Sequence, residues 1–272
     1  MTAQSHRTRR RWVIGIAAVL TLIAVIWFAD AYQRQRRVMA IKAAIEQAGG
    51  EVDLDWPAWR SAWERMQGLG DRVGTQVIFR GEGFNSDILQ QVDDLSGLKV
   101  ACLYVLDGSL SSEDTARLVT QHPVTFLHVI GVGDSDVVAA ALTDSETLYH
   151  ASFRDSGLTA DGLRELPLER IRSLFIPGTG VTSPGLQVLR RCKHLSCLEL
   201  DGRQLDDNAV EIVRSLTTLR ALCLRGADVT DEHLQRVHPL GVEELYLEQT
   251  SATSDGIAAL KQAMPHCTVI VQ

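Results

Sequence analysis

Paired cysteines, catalytic signatures and a basic body are all missing from this sequence. Its five cysteines, Cys102, Cys192, Cys197, Cys223 and Cys267, are odd in number and never stand in a C-x-x-C spacing. That excludes a disulfide framework and a zinc site built on regular cysteine pairs. The thiols are predicted to be small buried or half-buried apolar side chains, with a Cys192–Cys197 bridge as the alternative in an oxidising compartment. No G-x-S-x-G, H-E-x-x-H or P-loop pattern occurs, so the hydrolase, metalloprotease and nucleotide-cradle chemistries tied to them are not expected. The stretch GVGDSD (131–136) starts like a dinucleotide fingerprint but has Asp136 where the third glycine belongs, and it reads as a turn. Positive charge is scarce outside the N-terminus. Residues 1–50 hold eight Lys/Arg and two Asp/Glu, and the remainder holds nineteen and thirty-two. An acidic body disfavours nucleic acid as a partner, because that affinity rests on cations at phosphates.

What the N-terminus does have is a long apolar run. WVIGIAAVLTLIAVIWFA (12–29) is eighteen residues without a charge, about 27 Å as a helix and close to the thickness of a bilayer core. Trp12 and Trp27 stand near its ends, and four arginines precede it. The expectation is a basic tail over 1–11, a transmembrane helix over 12–29 and a juxtamembrane helix over 30–50, stopped by Gly49-Gly50. The N-terminus would then be cytoplasmic and the rest exported, as a single-pass membrane protein. A cleaved signal peptide at Ala29-Asp30-Ala31 is the alternative. No cysteine follows the run closely, so a lipoprotein anchor is not available.

From Val100 the chain repeats an apolar skeleton every 23 or 24 residues. One column reads Val100, Val124, Leu148, Ile171, Leu195, Leu219 and Val242. Three residues on come Leu103, Leu127, Ala151, Leu174, Leu198, Leu222 and Leu245, and two further come Val105, Val129, Phe153, Ile176, Leu200, Leu224 and Leu247. A fourth column holds Leu110, Leu158, Val181, Leu205, Val229 and Ala252 and is broken by Asp134. Thr159, Thr182, Asp206, Thr230 and Thr253 follow it as natural helix N-caps. Gly178, Gly202 and Gly226 are placed for a sharp turn after each strand. Upstream, residues 51–99 read as a capping region with an irregular first repeat through Phe79, Phe84, Leu89 and Val92. Trp56, Trp59, Trp63 and Met66 are predicted to form one face of a capping helix.

This pattern, L-x-x-L-x-L followed by V-T-D-x-x-L, resembles the leucine-rich repeat family, and the whole chain resembles bacterial single-pass membrane-anchored members of it. The resemblance implies an α/β solenoid over 100–272, with a curved parallel sheet on the concave face, short helices on the convex face and, here, an N-terminal transmembrane helix. It also implies that residues between the strand leucines face solvent on the concave side. No asparagine ladder marks the turns, a departure from some repeats of the family.

Residues set by neither column nor cap are free to recognise a partner. Between the second and third columns stand Tyr104, His128, Ser152, Phe175, Glu199, Cys223 and Tyr246, with Phe126, Tyr149, His150, Arg154, Arg172, Arg220 and Arg225 nearby. Aromatics and arginine dominate binding hot spots. The candidate partner-binding face is therefore Tyr104, Phe126, His128, Tyr149, His150, Arg154, Arg172, Phe175, Glu199, Arg220, Arg225 and Tyr246. His128 and His150 are predicted on adjacent strands without a third ligand in register, so no metal, cofactor or catalytic residue is expected. The functional expectation is a non-catalytic, membrane-tethered protein-interaction module whose partner is a protein. The alternatives are a secreted or periplasmic binding protein, or a cytoplasmic adaptor or substrate receptor.

Overall fold

A short strand with one apolar face is stable only between neighbours that cover it, and the described residues lay ten strands side by side in sequence order. The computed structural model describes residues 29, 32, 33, 35, 36, 38–56, 74–81, 84, 100–238 and 240–272. The strands are β1 (Glu51–Trp56), β2 (Gly74–Phe79), β3 (Val100–Val105), β4 (Phe126–Ile130), β5 (His150–Arg154), β6 (Ser173–Phe175), β7 (Cys197–Leu200), β8 (Ala221–Arg225), β9 (Glu244–Glu248) and β10 (Thr268–Val271). They form a single sheet in the order β1 to β10. The β1–β2 pair is antiparallel and every later pair is parallel.

The predicted columns become ladders of paired residues. Leu103, Leu127, Ala151, Leu174, Leu198, Leu222 and Leu245 are successive partners across β3 to β9. All seven are buried, as is every member of the third column. They pack with Leu163, Leu166, Leu186, Leu189, Val210, Val213, Leu234 and Val237 in one continuous core. Those residues belong to or flank the helices Ala160–Glu165, Asp207–Ser215 and Asp231–Val237 and the 3-10 segment Ser183–Arg191. Helices Ser112–Gln121, Ser135–Ala140 and Ser254–Ala263 complete the second layer. The break at Asp134 has a local reason: it is the N-cap of Ser135–Ala140, and buried Val132 supplies the apolar contact instead.

Every strand must turn towards its helix, and the turn repeats as faithfully as the leucines. The second residue past the third column has positive φ in six of seven units: Asp107, Gly131, Asp155, Gly178, Gly226 and Gln249. Glycine adopts this region freely and Asp tolerates it, so the position is selected by conformation rather than by polarity. Gly202 is the exception. It opens a short 3-10 turn whose capping box joins Asp201 and Gln204, and a Cβ there would lie 2.5 Å from the Asp228 carbonyl oxygen.

Polar bonds then tie one unit to the next. Asp136 accepts from the Thr159 backbone N–H and hydroxyl at 2.8 and 2.5 Å. Asp231 does the same for Thr253 at 2.8 and 2.7 Å. These threonines also cap their own helices, accepting from Asp161 and Gly256 respectively, whereas Thr182 makes no such side-chain bond. Buried Gln204 donates to the Ile176 and Val181 carbonyls at 3.0 and 3.2 Å. It thereby ties the Gly202 turn to the preceding unit.

The N-terminal expectations need correction. Among the described residues no helix is long and apolar enough to cross a membrane, and the run at 12–29 lies, except for Ala29, outside them. The transmembrane part of the expected fold and the single-pass membrane localisation are therefore not supported, and what stands is an α/β fold on a mostly parallel sheet. The helix through 38–47 packs against the sheet. Ile41 and Ile45 are buried in the repeat core, and Lys42 Nζ donates to the Val52 carbonyl at 3.0 Å. Its amphipathic face caps the first strands. Trp56 lies in β1 rather than in a helix, and Trp59, Trp63, Met66, Leu89 and Val92 lie outside the described residues.

Replacing Gln204 with Ala is expected to cost about 1–3 kcal/mol in urea unfolding, since it takes the amide donor from the buried Val181 carbonyl, while the Ile176 carbonyl keeps the Thr179 hydroxyl at 2.8 Å. Arg203→Ala removes ion pairs of a mostly exposed side chain and is expected to cost less than about 1 kcal/mol.

Candidate functional site

Alternation along each strand sends the residues between the leucines to the face away from the helices, and parallel pairing stacks them. One ladder runs Tyr104, His128, Ser152, Phe175, Glu199, Cys223, Tyr246, and beside it runs Cys102, Phe126, His150, Ser173, Cys197, Ala221, Glu244. Arg154 pairs with Ile130, and Arg225 with Glu248, one step further along. The sheet thus brings together nine of the twelve predicted binding residues, from Tyr104 to Tyr246, and Tyr149 sits just before β5. Arg172 and Arg220 sit just before β6 and β8, Arg172 beside Tyr149, with its guanidinium carbon 5.7 Å from that ring.

The expectation that this face is open to solvent is overturned for much of it. Phe126, His150, Phe175 and Glu199 are buried, Glu199 to 1% exposure. Tyr104, His128, Tyr149, Arg154, Arg172, Arg225 and Tyr246 are half-buried, and Arg220 alone of the predicted set is exposed. Part of the reason is that these side chains are large and pack on one another. The rings of Tyr104 and His128 stack at 4.2 Å, His128 lies 4.6 Å from His150, and His150 meets Phe175 edge-on at 4.7 Å. Arg154 stands 5.0 Å above the Phe175 ring and pairs with Glu199. Two small apolar clusters flank this row, Cys102 with Phe126, and Phe175 with Cys197 and Ala221.

The row is polar chemistry held in a dry place. Both ring nitrogens of His150, the hydroxyls of Ser152 and Ser173, Arg154 Nε and Glu199 Oε1 have no hydrogen-bond partner among the described residues. All belong to adjacent strands, β5 to β7. Burial lowers the His150 pKa to about 3, and the Arg154 charge pushes it the same way. Burial also lowers His128, followed by the charges of His150 and Arg154. Glu199 is raised by burial, against the pull of Arg154. The thiol of Cys223 is raised by burial and then by Glu199 and Glu248. At neutral pH the histidines are therefore uncharged and the thiol protonated.

Glu199, Cys223 and Glu248 come from three consecutive strands and offer ligand atoms all within 4.8 Å of one another. Sequence reading missed this group because no short motif holds it. Its only signal is one-repeat spacing between potential ligands, legible once the ladders are aligned. The cysteine expectation fares better: all five are free, with Cys102, Cys197 and Cys223 buried. The stretch 131–134 bends from β4 into the helix Ser135–Ala140, and Asp136 in that helix accepts from Thr159. At the leading edge of the strands, Tyr149, Glu169, Arg170, Arg172, Lys193 and His194 line a cavity of about 380 Å³.

Comparison with known proteins gives no match to a family model and none to a curated sequence. What the site does has to be argued from its own geometry.

His150 yields a pH dependence with a defined sign. An unfolded histidine takes up its proton below about pH 6.5, whereas the folded His150 resists it down to about 3. The unfolded chain is then the better proton binder in between. Stability from this group is complete above pH 6.5 and declines as pH falls through that window, at up to about 1.4 kcal/mol per unit. Urea unfolding at pH 7, 6 and 5 is expected to show a shallower acid decline for His150→Phe than for the wild type. Equal slopes would mean that His150 titrates as an ordinary solvated residue.

Proposed function

We propose that this chain is a non-catalytic protein-interaction module of the leucine-rich-repeat type, and that it reads its partner along the sheet face opposite the helices. The observation that carries this reading is the continuous row from Tyr104 through His128, His150, Phe175 and Arg154 to Glu199. Six strands, β3 to β6 with β8 and β9, donate to one surface the residue types that concentrate binding energy, aromatics and arginine. Regular packing needs none of them there, because the core on the helix side is complete without them.

Burial divides the work between residues. Phe126, His150, Phe175 and Glu199 are packed and act as a rigid floor. Tyr104, Tyr149, Arg172, Arg220, Arg225 and Tyr246, more accessible at the margins, form the contact surface. A floor whose rotamers are fixed by stacking lowers the ordering cost of binding. Arg172 and Arg220 occupy the same position two units apart, and the backbone carbonyl of each accepts the N–H groups at the start of the next unit's strand, β7 and β9 respectively. Their backbone is thus fixed, with the Arg172 guanidinium over the Tyr149 ring and Arg220 exposed.

The test is a charge reversal at that margin. The double variant Arg172→Glu/Arg220→Glu is expected to reduce capture of crosslinked partners from a cell lysate at least tenfold. Arg220 contributes little to folding, since its ion pair with Glu243 is exposed on both sides, so the Arg220→Glu single variant is expected to keep the wild-type thermal midpoint. A capture profile identical to wild type in the folded double variant would sink the reading.

A further inference from the structure

The acidic–thiol group on β7, β8 and β9 calls for an explanation that the interaction reading does not supply. Glu199 is 1% exposed. Arg154 takes its Oε2, and Oε1 is left buried without a hydrogen-bond partner among the described residues. A carboxylate oxygen in that condition costs free energy unless something positive or protic reaches it. The same carboxylate lies within 4.8 Å of Cys223 Sγ and of a Glu248 oxygen, and Cys223 is itself buried.

We propose that Glu199, Cys223 and Glu248 form a binding site for a divalent transition metal of the zinc class. One soft sulfur with two carboxylate oxygens is a donor set that suits zinc or cobalt and not calcium or magnesium. Zinc–sulfur and zinc–oxygen bonds of about 2.3 and 2.0–2.2 Å place tetrahedral donors roughly 3.3–3.7 Å apart. The present spacing needs to close by about 1 Å, a movement that falls to half-buried Glu248, whose approaches to Arg225 and Cys223 are both 3.9 Å. Three protein ligands leave a fourth position for water or a partner's donor.

The neighbouring arginines fit this assignment. Arg154 holds Glu199 through one oxygen, and Arg225 lies 3.9 Å from Glu248 Oε2. Carboxylates that ligate metals are commonly oriented in this way through their second oxygen. Arg154 therefore occupies one oxygen of Glu199 and leaves the other open, while the Cys223 thiol donates to Glu248 Oε2 at 3.9 Å, a proton that metal binding would displace. The site shares β7 to β9 with the proposed contact face, but it does not depend on a protein partner.

The experiment uses cobalt(II) as the probe on the reduced full-length chain. A sulfur-to-cobalt charge-transfer absorption is expected to saturate at one equivalent. Cys223→Ser is expected to abolish it, Glu248→Gln to weaken cobalt binding at least tenfold, and Cys192→Ser, outside the cluster, to leave it unchanged. Far-UV circular dichroism reports folding, and if Cys223→Ser fails to fold, Glu248→Gln decides. No absorption in the wild type, a band that survives Cys223→Ser, or undiminished affinity in Glu248→Gln would each overturn the proposal. None of these outcomes touches partner capture by Arg172 and Arg220, so the two readings fail separately.

Discussion

A strand of three to six residues has an apolar side and no means of covering it alone. Everything else in this chain follows from that deficit. Each unit must lie beside another, and the only arrangement that does so repeatedly, with a helix returning the chain each time, is a parallel sheet in sequence order. Parallel pairing then forces like positions into contact. Leucine meets leucine on the helix side. On the other side, whatever stands at the same offset is stacked with its counterparts, whether or not it was apolar.

This explains what was legible beforehand and what was not. The columns ending in Leu200, Leu224 and Leu247 fixed period, strand placement and core, because burial on the helix side demands a narrow set of side chains. The caps at Thr159, Asp206 and Thr253 were equally open to reading, since their short polar side chains answer a local need. The left-handed turn was only partly visible. Its requirement is a backbone angle, which Asp107, Asp155 and Gln249 meet as well as Gly178 does, so a search for glycine finds half of it. The links from Asp136 to Thr159 and from Gln204 to Ile176 span neighbouring units and leave no contiguous motif.

On the opposite sheet face nine of the twelve chosen residues stand in the strands, Tyr149, Arg172 and Arg220 precede them, and the expected exposure was wrong for much of the face. Nothing in the spacing of His150, Phe175 or Glu199 distinguishes a side chain standing in water from one packed under its neighbours. Their size decides it: histidine and phenylalanine reach across the roughly 5 Å between strands and seal one another off. The outcome is a layer in which polar atoms are sheltered, and a sheltered polar atom is either matched or costly. That is why orphaned groups on three adjacent strands carry more functional weight than the exposed charges on the helices.

Strict register also sets what kinds of change the chain can absorb. Because a strand shows alternate residues to opposite sides, one residue inserted before Leu198 would send Glu199 towards the helices and a leucine into the aromatic row. Insertion of a full unit of about two dozen residues would change no side chain's facing and would merely add a rung. Such a chain is expected to lengthen or shorten by whole modules. Its aromatic row would then grow by accretion, while the chemistry of each existing rung stays in place.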